Sequence, residues 1–160
     1  MKKEFSVIWF QGAACSGCAV SVLNSLSPTI KNVLLDELVP GKHINLLFMP
    51  TKMTASGSVA LDVLVDAQKS KKGEYILIIE GAIPESEFGE VGEKSMEDSV
   101  EELSKNASVI LSLGTCSAFG GIPKGKPNPT KAKSVEEFLR LKNIKKPIIN
   151  IPGCPPHPDW

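Results

Sequence analysis

The sequence predicts a doubly wound α/β domain: a five-stranded, mostly parallel sheet with helices on both faces. Three observations carry this. Five short β-rich runs recur along the 160 residues. Stretches of helical or loop composition separate them. The last three runs are nearly continuous apolar sequence, the pattern of parallel strands covered on both sides. Strand and helix patterns alternating in this way build a parallel sheet wrapped by helices.

The elements follow in order. The first run, 5–10, reads Phe5-Ser6-Val7-Ile8-Trp9-Phe10, and a helix is predicted over 18–27. Ile44-Asn45-Leu46-Leu47-Phe48-Met49 forms the second run, followed by a helix over 58–71. The third, Tyr75-Ile76-Leu77-Ile78-Ile79, leads to a helix over 94–106 and then to the fourth, Val109-Ile110-Leu111-Ser112-Leu113. Residues 121–129 carry Gly121, Pro123, Gly125, Pro127 and Pro129, which excludes regular structure and predicts a long loop. A helix over 134–142 opens on Ser134 with Glu137 three residues later, a capping-box signature. Pro147-Ile148-Ile149-Asn150-Ile151 closes the set. With no internal repeat or low-complexity segment, residues 1–160 read as a single domain.

Composition narrows the function. Formal net charge is zero, so there is no electrostatic footprint for nucleic acid or an anionic membrane. No apolar run approaches the roughly 20 residues of a membrane span. Met1-Lys2-Lys3-Glu4 leads straight into a strand without the apolar core of a signal peptide, so the expected location is cytoplasmic. Thiols stay reduced there, and four cysteines then suggest metal or redox chemistry before disulfides. Two stretches are locally charged: 85–102 holds eight acidic groups against Lys94, and 124–146 eight basic ones against Glu136 and Glu137. They read as two solvated faces, with a polar docking surface for a partner as the sharper alternative.

Cys15, Cys18, Cys116 and Cys154 carry the chemistry. Each lies just past a predicted strand: Cys15-x-x-Cys18 after the first, Gly114-Thr115-Cys116 after the fourth, Pro152-Gly153-Cys154-Pro155-Pro156 after the fifth. Parallel strands deliver those three loops to one edge, where ligands bind in open α/β sheets. Cys18 would open the first helix, whose N–H groups favour an anionic thiolate cluster. Gly12 and Gly17 would let backbone approach the ligand, and Pro155 and Pro156 would stiffen the last loop. Four thiolates at one edge suit a cubane iron–sulfur cluster. Structural zinc usually takes two C-x-x-C pairs, and a dithiol redox pair would leave Cys116 and Cys154 without a role. Spacing alone leaves both of these open, together with four inert buried thiols. The first loop lacks the P-loop lysine and the G-x-G-x-x-G pattern, so nucleotide binding is rejected as the main role.

Other polar residues have plainer readings. His43 reads as solvated, and His157 as a loop histidine that could hydrogen-bond near the site. Glu80 ends an apolar strand at the site's edge and, if buried, needs hydrogen-bond partners. Met49 and Met53 read as core filler. Ser16, Ser112 and Ser117 lack a histidine base, which argues against a serine hydrolase.

At these residues the chain resembles the small, electron-transferring subunit of nickel–iron hydrogenases. The likeness runs through Trp9-Phe10-Gln11-Gly12-Ala13-Ala14-Cys15-Ser16-Gly17-Cys18, His43-Ile44-Asn45-Leu46 and Glu80-Gly81-Ala82-Ile83-Pro84. It continues through 114–123 and 152–159, covering essentially the whole chain. The resemblance implies a flavodoxin-like domain binding one [4Fe–4S] cluster through Cys15, Cys18, Cys116 and Cys154, with no catalytic residue on this chain. It also implies a large subunit bearing the nickel–iron site, met by an apolar interface around loops 12–18 and 116–128, and further iron–sulfur or flavin-bearing partners. The cluster-binding subunit of respiratory complex I shares the domain but has adjacent cysteines in the first motif. A complex-I-like or energy-converting assembly is therefore the neighbouring alternative. Two departures stand out. Val20 occupies a position that is often acidic in the family, and it receives no proton-transfer role. No cysteine remains for the two further clusters of long members, so the chain is expected to be either truncated or similar to the short small subunits of soluble hydrogenases.

Overall fold

A computed structural model describes residues 3–37 and 39–159. The strands are β1 (Lys3–Gln11), β2 (Lys42–Phe48), β3 (Tyr75–Glu80), β4 (Glu90–Val91), β5 (Lys94–Ser95), β6 (Val109–Leu113) and β7 (Ile148–Ile151). The helices are α1 (Gly17–Leu23), α2 (Ile30–Leu35), α3 (Gly57–Ser70), α4 (Met96–Asn106), α5 (Thr115–Phe119) and α6 (Val135–Leu141). Five strands form one sheet in the order β2-β1-β3-β6-β7, parallel throughout, while β4 and β5 pair as a separate small hairpin. All five predicted strands are present, and the doubly wound reading holds.

The two faces of the sheet differ in cover. Ile8, Phe10, Tyr75, Leu77, Ile79 and Ile110 are fully buried against Leu64 and Ala67 of α3, Val100 and Leu103 of α4, and Val135 and Phe138 of α6. On the opposite face Trp9 and Leu113 pack against Ala19 of α1, with Leu46, Ile78 and Ile151 beside them. There the cover thins: β3 and β6 alternate between buried and half-buried residues along their length. The sequence predicts strands covered on both faces; the described residues cover one face fully and the other in part.

Local boundaries depart from the sequence reading for identifiable reasons. The helix predicted over 18–27 stops at Leu23, because Asn24 leaves helical geometry and Pro28 cannot continue it. A second helix, α2, then starts behind Thr29, whose side chain accepts from Asn32 N–H while Asn32 answers the Thr29 N–H. That is a capping box with Asn in the place of Glu. The helix predicted from 94 begins at Met96, since Lys94 and Ser95 are drawn into the hairpin over Gly92. At Ser134 the cap forms, with Glu137 N–H donating to its Oγ. Within 121–129, predicted to be wholly irregular, Ile122–Lys124 makes one 3₁₀ turn.

The acidic and basic stretches pair with each other rather than facing solvent separately. Lys131 meets Glu85, Lys133 meets Glu97, Lys142 meets Glu101, and Lys124 meets Glu137 within its own stretch. Lys131 and Lys133 tie the segment before α4 and α4 itself to the loop between α5 and α6, and Lys142 ties the end of α6 to α4. No helix among the described residues is long and apolar enough to cross a membrane.

Candidate metal centre

Three loops at the carboxyl edge of the sheet converge. The backbone of Ala13 exchanges two hydrogen bonds with Ala82, fixing the first cysteine loop to the end of β3. Thr115 and Gly153 exchange N–H to oxygen bonds of 2.8 and 3.2 Å, locking the Cys116 loop to the Cys154 loop. Ser21 Oγ of α1 donates to Pro156 O at 2.8 Å, joining the first loop's helix to the last loop. As a result Cys15, Cys18, Cys116 and Cys154 all line one cavity of about 120 Å³, together with Glu80 and Thr115. The four cysteines predicted from the sequence are brought together; all are free, Cys15 and Cys154 exposed, Cys18 and Cys116 half-buried.

The donor set and its surroundings fit an iron–sulfur cluster. Among the described residues no group of three or more His, Cys, Asp or Glu side chains is arranged to hold a metal ion, and the four thiols instead line one cavity. Two glycines make room for the sulfurs. A Cβ on Gly114 would sit 2.4 Å from Cys18 Sγ, and one on Gly121 would sit 2.6 Å from Cys116 Sγ. Both have positive φ, 90° and 51°, which glycine adopts without strain. The sequence reading singled out Gly12 and Gly17 instead. A Cβ at Gly17 would lie 3.2 Å from Cys15 Sγ, but at Gly12 it would strike Ala82 O at 2.6 Å, so Gly12 serves loop packing.

Glu80 organises the near wall. Its side chain is 1% exposed and accepts four hydrogen bonds from neutral donors. Trp9 Nε1 and Gln11 Nε2 donate to Oε2 at 3.0 and 3.2 Å. The N–H groups of Cys18 and Ala19 donate to Oε1 at 3.1 and 3.2 Å. This corrects the expectation that the first helix would offer those N–H groups to an anionic cluster: the carboxylate already takes them. Burial, then the charges of Glu80 and of the other three cysteines, push the Cys18 thiol up to about 12. Burial raises Cys116 as well. Without a cation both stay protonated near neutral pH, so loading metal must expel protons.

The remaining candidates fall outside the cavity. His43 lies at the start of β2, at the opposite end of the sheet. His157 is exposed and accepts from Asp159 N–H. Met49 is buried in the cluster with Trp9 and Leu113, and Met53 packs against the larger core on the other face. Ser112 and Ser117 hydrogen-bond each other at 2.8 Å beneath the site. Phe119 and Ile122, within the 116–128 loop where a partner was expected, are exposed apolar residues, as is Val20 of α1, two positions past Cys18.

The family described as "NADH ubiquinone oxidoreductase, 20 Kd subunit" matches residues 15–160. The periplasmic [NiFeSe] hydrogenase small subunit of Desulfomicrobium baculatum is 40% identical over 171 aligned positions, covering 99% of this chain and 52% of its own length. The periplasmic [NiFe] hydrogenase small subunit of Solidesulfovibrio fructosivorans is 38% identical over 160, covering 98% and 47%. Thus the chain spans about half the length of the curated relatives it matches. The solved recombinant [NiFeSe] hydrogenase from Desulfovibrio vulgaris Hildenborough superposes with a TM-score of 0.91 at 40% identity, over 99% of this chain and 56% of that one. An NAD+-reducing [NiFe]-hydrogenase chain superposes at 0.61 with 15% identity, a likeness of fold alone.

Proposed function

From its membership of the NADH ubiquinone oxidoreductase 20 kDa subunit family, to which this chain belongs, we propose that it is the electron-transfer small subunit of a nickel–iron hydrogenase. Cys15, Cys18, Cys116 and Cys154 hold one [4Fe–4S] cluster, and the carrying observation is their convergence on a single cavity from three loops. When bound, the cluster takes up and releases one electron at a time. Hydrogen is oxidised to two protons and two electrons on a large subunit, since the cluster uses every thiol of this chain. Glu80 fixes the loop that carries Cys15 and Cys18, Gly114 and Gly121 keep space around the sulfurs, and Thr115 sets the other two ligand loops in register. The large subunit covers the exposed apolar side chains of Val20, Phe119 and Ile122, close in sequence to Cys18 and Cys116. Flavin-bearing or further iron–sulfur subunits accept the electrons. Cytoplasmic residence, expected from the sequence, stays a proposal beside relatives named as periplasmic, and cell fractionation tests it.

Names of the relatives and the Cys15-x-x-Cys18 spacing favour a hydrogenase over a complex-I-like module. The test is anaerobic co-purification on a tagged copy of this chain. A nickel-containing partner, with hydrogen-dependent reduction of a viologen dye, is the expected result. A quinone-reducing assembly without nickel would move the chain to the complex-I side.

A further inference from the structure

Of the described residues lining the cysteine cavity, Thr115 is the one with a side-chain hydrogen-bond donor other than a thiol. The rest of the lining is alanine, glycine, proline and Glu80, whose two oxygens already accept N–H bonds. A threonine inside a helix commonly donates its hydroxyl to a carbonyl three or four residues back. Thr115 opens α5, and the residues three and four before it belong to β6, so no preceding turn offers that acceptor. Its Oγ1 accepts from Gly153 N–H at 3.2 Å, which fills one lone pair and leaves the O–H as a donor. Among the described residues nothing accepts that hydrogen. Ser117, two positions on, differs: its hydroxyl donates to Ile79 O at 2.7 Å and is spent inside the fold.

We propose that Thr115 donates this hydrogen to a sulfur of the bound cluster and thereby raises its reduction potential. The inference rests on the cluster assignment above. Reduction makes the sulfurs more negative, and hydrogen bonds to charged acceptors are the stronger ones, so a donor favours the reduced state. Glu80 adds weight to this one group, because it withholds the Cys18 and Ala19 N–H groups from the sulfurs.

The test is an EPR-monitored redox titration of the anaerobically purified complex as wild type, Thr115→Val and Thr115→Ser. Electron–nuclear double resonance of the reduced cluster, after exchange into heavy water, accompanies it. Valine keeps the shape of threonine without the hydroxyl. At a fixed potential its reduced-to-oxidised ratio should fall about fivefold, or about 40 mV in midpoint at 59 mV per tenfold. One exchangeable deuteron coupling should vanish in the valine variant, and serine should keep both coupling and midpoint. A threonine that only locks the Gly153 loop would carry no such coupling. Full iron and sulfide in Thr115→Val with an unchanged midpoint or an unchanged coupling would overturn the proposal and leave the cluster assignment standing. A wild-type complex without the cluster would overturn both. If the valine variant fails to load iron, Thr115→Ala takes its place. Loss of iron in both, with loading retained in Thr115→Ser, would assign Thr115 to the loop alone and overturn the proposal.

Discussion

Replacing Glu80 with Gln would test how the cysteine loop is held. Two carboxylate oxygens each accept from two donors: Trp9 and Gln11 on one, the Cys18 and Ala19 N–H groups on the other. A glutamine amide keeps a single acceptor oxygen, and its NH₂ group meets two N–H donors whichever way it is turned. Two buried donors are therefore orphaned, at about 1–3 kcal/mol each. Removing a buried charge that has only neutral partners offsets part of this. The net cost expected is about 2–3 kcal/mol, and a domain of this size loses roughly 2–4 °C per kcal/mol. E80Q should accordingly melt about 5–10 °C lower in anaerobic scanning calorimetry. Trp9→Phe removes one donor and leaves the acceptors in place, so it should cost less, and the double variant should be less than additive. An E80Q melting point within about 1 °C of wild type would refute the reasoning, because the N–H groups would then have other acceptors.

Three further outcomes follow from the same structure. Gly114→Ala should abolish metal loading, because its Cβ would lie 2.4 Å from Cys18 Sγ; Gly41→Ala, at φ 75° in open space, should cost only about 1 kcal/mol and keep full iron content. The Glu101 carboxyl is held down to about 2 by hydrogen bonds from Lys105 and then Lys142. Its stabilisation is therefore complete above the ordinary carboxylate value near 4.5 and is lost as pH falls from there toward 2. Glu101→Gln should flatten that acid limb in urea titrations by less than about 1 kcal/mol, since water screens the pair. Lys133→Met strips Glu97 of its least exposed partner, at 3.3 Å; chemical denaturation should show a loss of about 1–3 kcal/mol, larger than for Lys131→Met at the exposed Glu85 pair.

Much of the site was legible because position along a parallel strand fixes which edge a loop reaches. Cys15, Cys18, Cys116 and Cys154 each follow a strand, so their convergence required no knowledge of packing. The role of Glu80 was only half readable. A carboxylate ending an apolar strand announced that it needed partners, but that it takes the α1 N–H groups from the cluster depends on where a helix 62 positions away begins. Gly114 and Gly121 were visible as glycines beside Cys116, yet their purpose appears only when neighbouring sulfurs are placed against them. Charge pairing between 85–102 and 124–146 is a tertiary match that composition cannot express. Helix α2 does not register in the sequence because Asn32 stands where a capping box carries glutamate, and α5 is too short for a period to register. Apolar runs in β3 and β6 announce two faces wanting cover, and the described residues cover one of them only in part.

The most direct measurement is the iron, acid-labile sulfide and zinc content of the anaerobically purified complex, with the reduced-state EPR spectrum, for wild type and for each single Cys→Ala variant. About four irons and four sulfides per copy of this chain, beyond those on partner subunits, with that signal lost or altered in the Cys15, Cys18, Cys116 and Cys154 variants alike, is the predicted result. Stoichiometric zinc without sulfide, or an unchanged cluster signal in the Cys116→Ala protein, would contradict it.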